Sequence, residues 1–515
     1  MTTVCILAAG LGERMGDLSY ANKALVPFNN KALISNIIEI FPRKTKFVIA
    51  LGYQSNQLKS YIKIAHSNLI ESIKFVKVIK YKGLGSGPGH SLICCKKFLN
   101  KPFIFIACDT LLKNKINFDE KKNWVGTFRV DDKISKDYCN FEIKKNKVSK
   151  IIEKEKYENK NQTSFIGICK IHDYRIFWDN LILRSKKKLS PQISDGFHKL
   201  IEKNKLFSKK IDWLDFGTYE KYKDMVAKYS KYDFSKTDEF IFMINRKVIK
   251  FFKDKIITEQ RVIKSDLNKN VLPKCKKIGS FYSYKFIKGN TLYKKNNKKI
   301  FGELLKFLEK KLWIKKSINK EKFINSCRNF YETKTFSRIN LFKKKNKFFK
   351  IRTVNKQKVL SFDSLKAKIF SDNLFQGTPC FIHGDLQFDN IIYQNNKFSL
   401  IDWRHSFDKI VSCGDLYYDL AKLYGGIILN YDEIKKNKFK FKIKNNHVLI
   451  SFNKDSFKLK SIYEKYLISK NLDLKKIKIL TGLIYLNMSP LHKHPFDKFL
   501  YSLGILLLNK EVYND

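Results

Sequence analysis

Residues 380–393 read CFIHGDLQFDNIIY, which packs a histidine, two aspartates and an asparagine between apolar runs. Asp385 stands five residues before Asn390, and the stretch SLIDW, 399–403, closes a second apolar run on Asp402. Phosphoryl transfer uses such a set: a carboxylate at the attacking hydroxyl, and oxygen ligands for magnesium on the ATP phosphates. On this reading Asp385 accepts or orients the hydroxyl proton as the catalytic carboxylate, and Asn390 with Asp402 holds magnesium. His383 is expected to brace the loop and Asp389 to be a solvated loop carboxylate. Asp415 and Asp419 in GDLYYDLAKL, 414–423, are expected to brace the fold.

Upstream, FIFMINRKVIKFF (240–252) reads as a hairpin, IITEQRVIKSDL (256–267) as a helix and FYSYKFIKG (281–289) as an edge strand. Strand, helix and strand ahead of a long helical remainder predict a small nucleotide-covering lobe over a larger one. Between Tyr431 and Lys460, KFKFKIKNNHVLISF alternates apolar and basic residues around an Asn pair, the pattern of an inserted hairpin. His492 and His494 have metal-like spacing without an acidic third ligand in the sequence nearby, and read as a loop.

The first half has a different texture. Apolar TVCILAA, KFVIAL, IKFVKVI and PFIFIA alternate with helical ALISNIIEIF, NQLKSYIKIA and HSLICCKKFL. Short continuous strands separated by helices predict a parallel α/β sheet buried on both faces. Ligands of such sheets sit at the carboxyl ends of the strands. There lie LAAGLGERMG (7–16) with Asn22 and Lys23, and FIFIACD ending on Asp109. Gly10 and Gly12 let backbone amides approach a triphosphate, while Arg14 and Lys23 neutralise it. A carboxylate directly after a buried strand suits a divalent ion, and magnesium needs only one or two of them.

At 515 residues the chain is longer than one core usually organises, so two domains are expected. Hydrophobic residues make up 43%, enough for two packed cores. The formal charge of +55 is spread along the whole length as lysine runs. That texture fits a solvated, compositionally biased surface better than a nucleic-acid face. The ten cysteines form no CxxC pair and no zinc spacing, and Cys94 with Cys95 reads as helix filler. Reduced thiols, no basic n-region and no apolar run of about 18 residues predict a cytoplasmic protein without a membrane span.

The loop HGDLQFDN with SLIDW closely resembles the choline kinase and aminoglycoside phosphotransferase family, with its HGDxxxxN and IDW motifs. The resemblance implies a bilobal protein-kinase-like fold over 236–515, with the small lobe at about 236–292 and the large lobe at about 293–515. It also implies Lys250 on the ATP phosphates and Glu259 as its possible helix partner. The first half resembles the nucleotidyltransferases that make nucleotide sugars and CDP-alcohols, through LAAGLGERM, NKALVPF, GLGSGPGHSL, IIEK and WLDFGTYEKY. That resemblance implies an α/β, Rossmann-like domain over 1–228. Nucleotide binding then falls to Leu7, Ala8, Ala9, Gly10 and Gly12, with Gly85, Ser86 and Gly87 in the loop that reads the base. Arg14 and Lys23 carry catalysis, Asp215 joins Asp109 on magnesium, and Glu153 and Lys154 contact the acceptor. Asn22 stands where many sugar-specific members carry proline.

Together the halves predict a bifunctional enzyme. A kinase uses ATP to make a phosphomonoester from a small alcohol or sugar, and a nucleotidyltransferase joins that phosphate to a nucleotide from a second NTP, CTP or another. The product is an NDP-sugar or CDP-alcohol for surface polysaccharide, with Mg2+ at both sites. A choline kinase joined to a CTP:phosphocholine cytidylyltransferase is the alternative, and Trp403, Tyr417 and Tyr418 are its candidate cage. A rival of another class is a pair of inactive enzyme folds that binds nucleic acid or an anionic surface. Small molecules, with no specific nucleic acid, are the expected partners, and the oligomeric state stays open.

Overall fold

The computed structural model of the chain describes residues 2–186, 190–229, 237–453 and 458–513. The expected start of the second domain at 236 lies outside them. The chain divides into two compact units, 1–255 with 277–283, and 256–276 with 284–515.

In the first unit, strands β1 (Thr3–Ala8), β2 (Lys46–Leu51), β3 (Ile73–Lys77) and β4 (Phe103–Ala107) are parallel neighbours in the order β3-β2-β1-β4. Helices α1 (Leu33–Glu39), α2 (Ser55–Ala65) and α3 (Pro88–Cys94) fall between them in sequence. Continuous apolar strands bury on both faces: Val4 and Ile6 enter one core cluster, Cys5 and Ala9 the other. Beyond β4 and the short β5 (Thr110–Leu112) follow β6 (Asn123–Phe128), β7 (Cys139–Lys144), β8 (Lys147–Glu153), β9 (Gln162–Ile171) and β10 (Leu206–Lys210). They extend the sheet to nine strands in the order β3-β2-β1-β4-β9-β6-β10-β8-β7, and β9 runs antiparallel to β4. The short β11 (Trp213–Asp215) pairs antiparallel with β5.

The hairpin of β12 (Glu239–Ile244) and β13 (Lys247–Phe252) turns through Asn245 and Arg246, at φ 49° and 57°. Positive φ at both turn residues matches the twist of the flanking strands, and asparagine tolerates it best. With β14 (Lys276–Ile278) and β15 (Phe281–Lys285) it forms a sheet in the order β12-β13-β15-β14. The stretch expected as an edge strand, β15, is therefore interior, and β14 takes the edge. The sheet's apolar side packs on α2, with the Phe242 ring 4.8 Å and the Phe281 ring 5.9 Å from Tyr61. Asn245 Nδ2 and Lys247 Nζ donate to the carbonyls of Ala65 and Ile64 at 2.7 and 2.9 Å, closing the C-terminal end of that helix.

The second unit is mostly helical. It contains α4 (Lys255–Leu267), α5 (Lys334–Lys345), α6 (Leu416–Ile428), α7 (Leu474–Met488) and α8 (Phe496–Val512). Every residue of α6 from Tyr418 to Ile428 is buried, so the helix carries polar groups only where partners await them. Thr481 Oγ1 and Tyr485 Oη of α7 donate to its Ala421 and Gly425 carbonyls at 3.2 and 2.7 Å. The unit also holds two antiparallel hairpins: β16 (Ile391–Gln394) with β17 (Lys397–Leu400), and β18 (Phe439–Lys444) with β19 (His447–Phe452). No helix among the described residues is long and apolar enough to cross a membrane. None of the ten cysteines is bridged.

Candidate active sites

In the first unit, backbone register does the positioning. Asp109 ends the turn between β4 and β5, and Asp215 ends β11. The β5–β11 pairing sets Thr110 opposite Asp215, and Phe216 N donates to the Asp109 carbonyl at 3.1 Å. Residues 106 positions apart in sequence thereby become neighbours. Lys23 Nζ donates to Asp109 Oδ2 at 2.6 Å and to the Gly217 carbonyl at 2.8 Å, tying both segments together. Burial alone would raise the Asp109 carboxyl, but the Lys23 charge and hydrogen bond, with Arg14 adding to them, hold it below its ordinary value.

Asp215 is held by groups the sequence did not single out. Tyr138 Oη donates to its Oδ2 at 2.5 Å, Lys221 Nζ to the same oxygen at 2.6 Å, and Gly217 N to Oδ1 at 2.7 Å. Burial, then Asp215, push the Tyr138 phenol up, which keeps it a donor. Lys221 lies inside WLDFGTYEKY and was legible there; Tyr138 carries no local signal.

The glycine loop follows β1. Gly12 takes φ 69°, Gly10 faces open space, and Arg14 is exposed on the single turn after them. Leu7 and Ala8 end β1, and the Ala9 carbonyl accepts from Tyr53 N at 3.0 Å. A side chain at Gly52 would place its Cβ 2.4 Å from that carbonyl, so only glycine lets the two strand ends meet. Asn22 donates to the Ala8 and Tyr53 carbonyls at 2.9 and 2.8 Å and accepts from Ala24 N at 3.0 Å. It thus fixes the segment that presents Lys23.

Gly85, Ser86 and Gly87 lead into α3. Ser86 Oγ donates to the Gly83 carbonyl at 2.6 Å, and a Cβ at Gly87 would stand 2.7 Å from the Pro191 carbonyl. Pro88, at the first position of α3, and Gly89, which donates to Pro191, belong to that helix start. Glu153 ends β8 and accepts from Ser194 Oγ at 2.5 Å. Lys154 follows at φ 56°, a conformation costly for lysine, and its amide donates to the Tyr138 carbonyl at 3.2 Å.

The HGDLQFDN loop of the second unit rests on buried side chains. Asp419 of α6 accepts from the amides of His383 and Gly384, both at 2.7 Å. Burial pushes its carboxyl up, as it pushes the nearby Lys264 ammonium down. His383 Nε2 donates to the Ile401 carbonyl at 2.9 Å and Nδ1 accepts from Asp385 N at 3.2 Å, so the ring is neutral. Burial lowers its pKa to about 4. Asp415 accepts from Tyr331 Oη at 2.7 Å and from Thr378 N at 2.8 Å.

Lys422, one turn beyond Asp419 on α6, lies 2.7 Å from Asp385 Oδ1. Burial would raise the Asp385 carboxyl, yet Lys422 holds it below its ordinary value. Asn390 Nδ2 donates to the Asp385 carbonyl at 2.9 Å. Asn390 precedes β16 and Asp402 follows β17, and Ile401 N donates to the Asn390 carbonyl at 2.9 Å, so both stand at one end of the hairpin. Asp402 adopts φ 58° and accepts from Arg261 of α4 at 2.5 Å. Arg261 and Lys422 escaped the sequence reading, although the Asp415, Asp419 and Lys422 spacing marks one helical face.

Several expectations are corrected. Asp389 is not a solvated carboxylate: it is half-buried, its Oδ1 has no hydrogen-bond partner among the described residues, and burial raises its pKa despite Lys435 at 3.4 Å. The Lys250 ammonium, buried in β13, lies 3.2 Å from Glu239 of β12, a neighbour the sequence reading did not name, and its expected partner Glu259 stands on α4. The aromatic cage is not formed as expected. Trp403 is fully buried with Nε1 donating to the Arg261 carbonyl, Tyr418 packs edge-on against Phe330 at 4.8 Å, and Tyr417 lies under Lys476. His494 does have an acidic neighbour, with Nδ1 3.9 Å from Asp497.

No group of three or more His, Cys, Asp or Glu side chains placed to hold a metal occurs among the described residues. The Asp109–Asp215 and Asn390–Asp402 sets are all-oxygen and short of a full shell. They suit magnesium, which takes its other ligands from water and substrate phosphate.

Residues 4–116 match a MobA-like NTP transferase domain and residues 350–434 a phosphotransferase enzyme family. No curated protein matches the chain. Among solved structures, a UDP-glucose pyrophosphorylase complexed with UDP-glucose is similar at 20% identity over 44% of this chain and 98% of its own, TM-score 0.37. A UTP-bound UGPase from Acinetobacter baumannii is similar at 14% over 45% and 93%, TM-score 0.38. A CTP:phosphocholine cytidylyltransferase from Streptococcus pneumoniae is similar at 20% over 44% and 98%, TM-score 0.36. By its two family matches the chain carries two transferase domains, an N-terminal nucleotidyltransferase and a C-terminal kinase-like phosphotransferase.

Proposed function

We propose that the second unit phosphorylates a small alcohol or sugar with ATP, and that the first unit joins the resulting phosphomonoester to a nucleotide, giving an NDP-sugar or CDP-alcohol for surface polysaccharide. One observation supports this above others: each compact unit has its own pair of magnesium-type oxygen ligands and its own lysine on a site carboxylate, Lys23 on Asp109 and Lys422 on Asp385.

In the kinase step the acceptor hydroxyl oxygen bonds to the γ-phosphorus as the bridge to ADP breaks, and ADP leaves with the electron pair. Asp385, kept ionised by Lys422, orients the hydroxyl and takes its proton. A carboxyl held this low is a weak base, so its main contribution is aim and late proton removal. In the nucleotidyl step a phosphomonoester oxygen bonds to the α-phosphorus and pyrophosphate leaves. No base is needed, because the nucleophile is already anionic. Lys23 and Arg14 neutralise charge on the phosphates, and Glu153 and Lys154 bind the acceptor. Magnesium at Asp109 and Asp215, and at Asn390 and Asp402, would neutralise the phosphates and supply Lewis acidity. A choline-type acceptor is the weaker reading, since Trp403 and Tyr418 are committed to packing.

Equilibrium dialysis of the full chain with MgATP, and with CTP, UTP, GTP or dTTP, tests the reading. Two nucleotide sites per chain are expected; a single site would sink it.

A further inference from the structure

The charges around Asp385 are unbalanced. Phe330 and Lys334 stand four residues apart, where the turn 329–333 runs into α5, and Lys334 Nζ lies 4.0 Å from the centre of the Phe330 ring. The guanidinium of Arg404 lies 4.9 Å from the same ring. Arg404 follows Trp403 in the strand-end loop; its amide donates to the His383 carbonyl at 2.9 Å, and its Cβ lies 2.7 Å from where a Cβ would sit on Gly384. That places its side chain beside the residue preceding Asp385.

Among the described residues neither the Lys334 nor the Arg404 side chain has a hydrogen-bonding or acidic partner, and the Arg404 Nε is buried without one. Burial holds the Lys334 ammonium well below its ordinary value, and the positive charges of Arg404, Lys422 and Arg338 push it the same way against the opposing Asp385. Asp385 is already paired with Lys422 at 2.7 Å. Two cations therefore remain uncompensated beside the catalytic carboxylate. Like charges held together in part-buried surroundings are costly unless an anion joins them. The aromatic ring that could have received a ligand ammonium is already occupied by the protein's own cations.

We propose that the acceptor phosphorylated at Asp385 carries an anionic group, a carboxylate or a phosphate, bound by Lys334 and Arg404. The inference rests on the kinase reading above and narrows its acceptor class to acidic sugars or alcohols and their phosphates. Guanidinium and ammonium together suit a bidentate oxyanion, and discrimination against neutral analogues follows because those analogues leave both cations unpaired.

The test compares ADP formation by the full chain from MgATP with D-glucose, D-glucuronate, glucose 6-phosphate and choline. One of the two anionic probes should be used with kcat/KM about 10- to 100-fold above glucose, the range of a hydrogen bond to a charged group. Which of the two it is separates carboxylate from phosphate recognition. Arg404→Gln and Lys334→Gln should erase that preference through acceptor KM, Arg404→Lys should retain part of it, and the KM for ATP should hold in all three. Preferred use of glucose or choline would overturn the inference while leaving the kinase standing. A rise in ATP KM instead of acceptor KM would overturn it too, assigning both cations to the ATP phosphates. No ADP from any of the four, with MgATP bound, would remove the kinase reading and this inference with it.

Discussion

The two candidate sites reach similar chemistry by opposite construction. In the first unit the backbone places the carboxylates: Asp109 and Asp215 meet because β5 pairs with β11, and lysines then neutralise them. In the second unit buried side chains place the backbone: Asp419 holds the amides of His383 and Gly384, and His383 holds the amide of Asp385. A site built on register tolerates loss of one side chain with its geometry intact. A loop hung on buried polar groups does not, since each loss leaves orphaned amides at about 1–3 kcal/mol apiece.

The strongest way to break the comparison is to cross the sites. Asp385→Asn should lower phosphorylation about 10²- to 10⁴-fold, the usual worth of a positioned acid–base group, and spare pyrophosphate release from preformed phosphomonoester. Asp109→Asn should do the reverse, accumulating phosphomonoester without nucleotide conjugate. Phosphorus NMR of both products reads the outcome. Loss of both activities in a folded variant would mean one composite site.

Tyr138→Phe sharpens the claim that Asp215 has redundant support. Removing one bond of three to a carboxylate should lower nucleotidyl transfer by about 10-fold, near the lower end for a charged hydrogen bond, with the kinase unchanged. A loss as large as that of Asp109→Asn would give Tyr138 a direct role.

Acid separates the units by sign. His66 of the first unit, buried against Ser35 at 2.8 Å, has its pKa lowered by burial to about 4. The unfolded chain then binds the extra proton first, so stability is full above the unfolded histidine value near 6.5 and is lost as pH falls towards 4. The loss should reach about 2 kcal/mol at pH 5. His383 imposes the same demand on the second unit. There Asp419, with its pKa raised to about 6, runs the other way, its cost relieved as pH falls through 6. Calorimetry from pH 7 to pH 5 should show the first unit's transition dropping more, and His66→Gln should remove most of that drop. Equal drops in both would refute the opposition.

The smallest effect is expected at the Asn445–Asn446 turn, where φ is 47° and 67°. Asn446→Ala should cost about 1 kcal/mol, the penalty of a left-handed alanine, and change neither activity. An altered acceptor KM would bring the β18–β19 hairpin into the site.

How much of this was legible follows from what holds each feature. Strand and helix alternation from Thr3 to Ala107 could be read because each element announces its own burial. The HGDLQFDN and SLIDW stretches could be read because the candidate catalytic groups sit close in sequence on one loop and one strand end. Helix α6 and its cap held a signal in the spacing of Asp415, Asp419 and Lys422, of which the sequence reading used only the two aspartates. Tyr138 and Arg261 could not be found that way, because their partners lie 77 and 141 residues distant and nothing local distinguishes them. Asp389 was misread for the same reason: a polar residue in a polar loop gives no sign that the surrounding fold will bury it. The interior place of β15 depended on β14, three residues too short to show a strand pattern. The sequence by itself determined two transferase domains and singled out their candidate carboxylates, since these are carried by local pattern and spacing. Only the tertiary structure decided which cations face which carboxylates, because charge pairing depends on distances that strand register and helix packing set, and it is that pairing which leaves Lys334 and Arg404 without an anion.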